Sequence, residues 1–106
     1  MPRWLPRILS RIRALAAAGR VTFTRKAEDE LSVLGGGLEV QDALQILAGL
    51  VSNDCHARHR SATTGEWLYV FKPVAGGSLL YVKVVLRTDC IVVSFHEDGG
   101  ANDDEA

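Results

Sequence analysis

The sequence predicts an α+β fold in which N-terminal helices pack on a C-terminal antiparallel β-sheet. Two observations carry that expectation. In the first half, apolar residues recur at helical spacing and the segments end at glycines. In the second half, short apolar-rich runs are separated by Gly, Pro or Asp, as in strands joined by tight turns. A chain of 106 residues is near the commonest domain size. One domain is expected over residues 1–98. The stretch 99–106 is rich in Gly, Asp and Glu and is expected to be a disordered acidic tail.

Pro6 suits the first turn of a helix, where its missing N–H costs nothing. Leu5, Ile8, Ile12 and Leu15 follow at helical spacing, and Gly19 supplies a stop. Val21 to Thr24 reads as a short extended piece. Thr24 is then an N-cap for a second helix, with Ala27, Leu31 and Leu34 on one face. Gly35-Gly36-Gly37 ends it. A third helix carries Val40, Ala43, Leu44, Leu47 and Val51 on one side. The polar stretch from Asn53 to Gly65 (NDCHARHRSATTG) reads as a loop, or as a frayed edge strand leading into one. A strand from Glu66 to Lys72 places Trp67, Tyr69 and Phe71 on one face and Leu68, Val70 and Lys72 on the other. Pro73 ends it, and Gly76-Gly77 turns the chain into a long hairpin, Ser78 to Glu97.

That hairpin (SLLYVKVVLRTDCIVVSFHE) carries the chemistry. A two-residue loop at Thr88-Asp89 sets Tyr81 opposite His96 and Lys83 opposite Ser94. One face then holds Leu80, Val82, Val84, Leu86, Ile91, Val93 and Phe95 and reads as core. The other face gathers Tyr81, Lys83, Ser94 and His96 toward solvent, with directly opposed neighbours ~5 Å apart. Lys72 joins that face if its strand pairs in odd register.

Net charge is −1, from twelve basic and thirteen acidic residues, but the charges are segregated. Residues 1–26 hold seven basic residues and no acid, with Arg3, Arg7 and Arg11 spaced one helical turn apart. Without the five acids from Glu97 onward, twelve bases face eight acids and the balance is +4. A positive body is consistent with a polyanionic partner, and equally with a solvated helix face. No apolar run is long enough to span a bilayer, and Arg11, Arg13 and Arg20 interrupt any signal-peptide core, so no membrane partner is expected. Cys55 and Cys90 show no framework spacing, which suits free thiols in the cytoplasm. No paired Cys/His spacing marks a metal site, and no cofactor motif is present.

Histidine takes and gives protons near neutrality, and His96 stands among the few polar positions of an apolar strand. The polar stretch adds His56, Arg58, His59 and Arg60. Arg/His clusters suit phosphodiester cleavage. One group removes the proton of a ribose 2′-hydroxyl, another protonates the departing 5′-oxygen, and cations stabilise the charge on phosphorus oxygens. Arginine suits phosphate because its planar fork donates two hydrogen bonds at once.

Four stretches carry a family likeness: LSRIRALAAAGRVTFTRKA, LEVQDALQILAGL, WLYVFKP and LLYVKVVLRTDCIVVSFHED. Together they resemble the MqsR family of bacterial toxins, RelE-like ribonucleases of type II toxin–antitoxin systems, over residues ~9–98. The resemblance implies an mRNA endoribonuclease that needs no metal and is inhibited by a cognate antitoxin. Tyr81 and Lys83 match the family's Tyr-x-Lys, and Lys72 matches its basic residue before proline. Leu68 stands where the family has a glutamine, and His96 where it has a lysine closing the last strand. The family's loop lysine has no clean counterpart; His59 and Arg60 are the best replacements, with His56 and Arg58 next. The catalytic candidates are therefore His96, Tyr81, His59 and Arg60. The substrate-binding candidates are Lys72, Lys83, Arg58 and His56. The expected partners are mRNA and an antitoxin protein. The alternative is a non-catalytic module that binds RNA or protein on the same scaffold, which Leu68 favours.

Overall fold

A computed structural model describes residues 1–34 and 38–99. The chain runs through helix α1 (Leu5–Ala17), strand β1 (Val21–Phe23), helices α2 (Arg25–Ser32) and α3 (Val40–Ala48), and a 3-10 turn (Ser52–Asp54). Strands β2 (Cys55–Arg60), β3 (Trp67–Phe71), β4 (Val74–Ala75), β5 (Ser78–Leu86) and β6 (Cys90–Glu97) follow. The expected α+β architecture is what is observed, helices first and strands after. The triple-glycine stop at 35–37 and the tail at 100–106 lie outside the described residues.

The sheet runs β1-β6-β5-β3-β2, with β4 paired to β5 off that path. It is mixed, because β1 pairs parallel to β6 while the other pairs are antiparallel. An antiparallel meander alone therefore does not describe it. The extended piece after Gly19 returns to the sheet edge, where Cys90 N–H donates to the Arg20 carbonyl and Thr24 N–H to the Val92 carbonyl.

Local signals set the helix ends. Pro6 lies in the first turn of α1. At its end, Gly19 has φ +75°. Arg20 N–H donates to the Leu15 carbonyl and Gly19 N–H to the Ala16 carbonyl, the paired bonds of a left-handed glycine stop. Thr24 caps α2, its hydroxyl accepting from Ala27 N–H at 3.1 Å. Thr24→Ala is expected to cost about 1 kcal/mol in chemical denaturation; a change below a few tenths would mean that the cap contributes little. Gly76 and Gly77, at φ +60° and +81°, make the β4–β5 turn.

The core lies between the helices and one sheet face. It joins Leu5, Leu9, Ile12 and Leu15 of α1, Ala27 and Leu31 of α2, and Ala43 and Leu47 of α3, with Leu50, to Tyr69, Phe71, Leu80, Val82, Val84, Val92 and Phe95. The buried face of α3 is Ala43 and Leu47, whereas Val40 and Val51 are about half exposed. They fall outside the helix's buried stripe, and Leu50 closes the core in place of Val51.

The long hairpin of β5 and β6 departs from expectation in two compensating ways. Its loop has three residues, Arg87 to Asp89, because Leu86 pairs with Cys90. A bulge between Lys83 and Val84 then restores the register, so Tyr81 does pair with His96 and Lys83 with Ser94. The bulge also changes the faces. Val92 takes the core position together with Cys90, while Ile91 and Val93 are only partly buried and lie outside the core cluster.

Cys90 is fully buried, and burial pushes its thiol up to about 12. An unfolded chain ionises this thiol near 9.0 while the folded protein holds it protonated. The stabilisation is thus fully present below that value and is lost as pH rises toward about 12. In this window wild-type stability is expected to fall by up to about 1.4 kcal/mol per pH unit more than that of Cys90→Ala. Parallel denaturation curves across the window would contradict this.

Candidate functional site

β5, β6 and the end of β3 build the site on the sheet face away from the helices. Antiparallel pairing puts Tyr81 opposite His96. Their rings stack, with centroids 5.0 Å apart and planes 11° from parallel. β3 pairs with β5 as Phe71 with Val82 and Val70 with Lys83, so Lys72 comes level with Tyr81. The odd register is therefore the one adopted. The ammonium groups of Lys72 and Lys83 each lie 5.9 Å from the Tyr81 ring centroid. One phenol, one imidazole and two ammonium groups thus share a rigid platform.

This platform is less open than the alternation pattern suggested. Lys83 is only 4% exposed and Ser94 3%. The neighbours of Lys83 on its face include Val70 on β3 and Val85 along β5, both buried, so its long stem runs over apolar surface. Tyr81 and His96 are half-buried. The His96 Nδ1 lies 2.8 Å from the Glu97 carbonyl oxygen. A carbonyl can only accept, so in the neutral imidazole this bond makes Nδ1 the protonated nitrogen and leaves the lone pair on Nε2. Nε2 is shielded and meets no hydrogen-bond partner among the described residues.

Charged groups at the rim were not legible as site residues. Asp98, just beyond β6, pairs with Lys72 at 3.3 Å. Lys26 of α2 donates to the Ser94 hydroxyl at 2.9 Å and pairs with Glu30 at 2.8 Å. Glu30 in turn accepts from Phe95 N–H at 2.9 Å, tying α2 to the strand that carries His96. The Lys26/Glu30 spacing is visible in the sequence as a helical ion pair, but nothing there shows its contact with β6.

The polar stretch forms the edge strand β2, and strand alternation divides its candidates. His59 pairs with Leu68 and belongs to the platform side, yet it lies three strands and several residues from His96, roughly 19 Å by sheet spacings. Its Nε2 is also shielded and unpartnered among the described residues. His56 is exposed at a bulge in β2. Arg58 and Arg60 point to the helix side, against Trp67. The structure therefore brings together Tyr81, His96, Lys72 and Lys83, and sets His56, Arg58, His59 and Arg60 apart from them. Leu68, 9% exposed, places an apolar side chain on the platform side.

Burial raises the Cys55 thiol above its ordinary value, as it does for Cys90, so neither cysteine is an activated nucleophile. Among the described residues no three His, Cys, Asp or Glu side chains group closely enough to hold a metal ion. No helix among them is long and apolar enough to cross a membrane.

The fold and this platform define a class: a small α+β protein whose last hairpin gathers cations around a tyrosine–histidine stack. The family described as motility quorum-sensing regulator, toxin of MqsA, matches residues 7–97, and the chain belongs to that family. It is a toxin of a toxin–antitoxin system, with a cognate antitoxin as partner. No curated protein sequence matches the chain.

Proposed function

We propose that this toxin is an endoribonuclease that cleaves mRNA through the ribose 2′-hydroxyl without a metal. The observation that carries the reading is the Tyr81–His96 stack with two ammonium groups beside it. His96 Nε2, the lone-pair nitrogen, takes the proton from the 2′-hydroxyl. The 2′-oxygen then bonds to phosphorus and the 5′-oxygen departs, taking a proton from an ammonium of the platform. Lys72 and Lys83 offset the charge that builds on the phosphorus oxygens, and Tyr81 orients the phosphate. Because Nε2 is shielded at rest, the imidazole must turn outward as RNA enters.

A second reading is favoured by Leu68, buried where the resembling family carries a glutamine. On that reading the platform holds RNA or protein without cutting. Incubation of the purified protein with a mixed RNA pool in EDTA separates the two. Fragments support the nuclease. Intact RNA with salt-sensitive binding supports the binding module.

A further inference from the structure

The helix side of the sheet edge holds a second cationic group. The Arg58 guanidinium lies 3.8 Å from the Trp67 ring centroid and 4.7 Å from that of Trp4, so it touches two indoles. Trp4 packs in turn on Tyr69, centroids 5.5 Å apart. Arg60 also lies over Trp67, at 4.4 Å, and donates to the Gly65 carbonyl at 2.9 Å. Beside them an open groove of about 460 Å³ is lined by Arg11, Arg60, Trp67 and Leu86, among others. Glu66 is the one acid in that lining, and it accepts two bonds from Arg87 at 2.8 and 2.9 Å.

Arg58 differs from these neighbours. Arg11 donates to the Arg87 carbonyl, Arg60 to that of Gly65, and Arg87 to Glu66. Arg58 meets ring faces only, and no carboxylate or carbonyl among the described residues. Stacking on rings fixes the plane of a guanidinium while its N–H edge keeps its donors. A half-buried arginine held in this way is preorganised for a bidentate oxyanion. The cations around it are also serial. Arg7 and Arg11 stand four residues apart on α1, about 6 Å along its axis, and Arg3 lies just ahead of the helix. A single carboxylate would use one of them, whereas a chain of phosphates uses the row. Trp67 already carries Arg58 and Arg60, so the group offers charge in place of a stacking face for a base.

We propose that Arg58 anchors a phosphate-binding subsite for single-stranded RNA, extended by Arg60, Arg11 and the exposed Arg7. It rests on RNA being the substrate. β2 is three strands from β6, roughly 14 Å, so the subsite holds backbone flanking the cleaved bond around the sheet edge. It positions RNA without reading sequence.

The test is binding of a labelled, non-cleavable 2′-O-methyl RNA oligonucleotide to the full chain over a KCl series. Arg58→Gln is expected to weaken binding about tenfold and to flatten the dependence of log K on log salt by about 0.7 for each phosphate no longer neutralised. Arg58→Lys, which keeps the charge but loses the fork, is expected to fall between. Circular dichroism and the melting temperature verify folding. Should Arg58→Gln not fold, the Arg7→Gln/Arg60→Gln double variant carries the same slope test. An unchanged affinity and slope in the folded variant would overturn the subsite. So would loss of antitoxin binding with RNA binding intact, which would give the anchor to the protein partner. If wild-type protein cleaves pool RNA while Arg58→Gln binds the oligonucleotide as wild type does, only the subsite fails. If wild type neither cuts nor binds RNA, the nuclease reading fails with it.

Discussion

Replacing His96 with alanine is expected to slow RNA cleavage by about 10²–10⁴-fold, the usual loss when a positioned acid–base group is removed. The imidazole is half-buried, stacks on Tyr81 at the sheet surface and lies outside the hydrophobic core, so the fold should survive. Tyr81→Phe is the partner experiment. It keeps the ring that stacks on His96 and removes only the hydroxyl. Growth arrest in cells should weaken in parallel with cleavage. A folded His96→Ala/Tyr81→Phe double variant that cuts as fast as wild type would end the assignment of this platform as the active site.

The largest stability effect is expected at Phe95. Its side chain is fully buried and packs against Phe23, with ring centroids 6.4 Å apart and planes at 53°. Phe95→Ala removes that packing and leaves a cavity in the core at the position just before His96, a loss of about 3–5 kcal/mol. That is a large part of the ~5–15 kcal/mol by which such proteins are stable. The melting temperature should fall by more than about 12 °C. Phe95→Leu, which refills most of the volume, should lose far less. A drop below about 1 kcal/mol for Phe95→Ala would show that the sheet face is not seated on the helices as described.

Most of the fold was legible because its signals are local. Pro6, Gly19 and Gly76-Gly77 act through backbone geometry and Thr24 through its hydroxyl cap, all within a few residues, and each does what its type predicts. The site was legible in part for the same reason. Alternation along β5 and β6 brings Tyr81, Lys83, Ser94 and His96 to one face. The bulge was not legible, since an extra residue in one strand leaves no pattern that a longer loop could not also leave. Here a three-residue loop and the bulge cancel, which preserves the Tyr81–His96 pair but moves Ile91 and Val93 out of the core. The parallel docking of β1 on β6 and the reach of Lys26 to Ser94 are long-range events that no spacing records. For Arg58 and Arg60 the signal was present. Once Cys55–Arg60 forms a strand, alternation separates the arginines from His59.

The most direct test of the central claim is the chemistry of the cut ends. RNA fragments made by wild-type protein in EDTA should carry 2′,3′-cyclic phosphate on one side of the break and 5′-hydroxyl on the other, and a 2′-deoxy substitution at the cleaved nucleotide should block the cut. Fragments ending in 3′-hydroxyl and 5′-phosphate, or undiminished cutting at the 2′-deoxy position, would contradict attack by the ribose hydroxyl and remove the role given to His96.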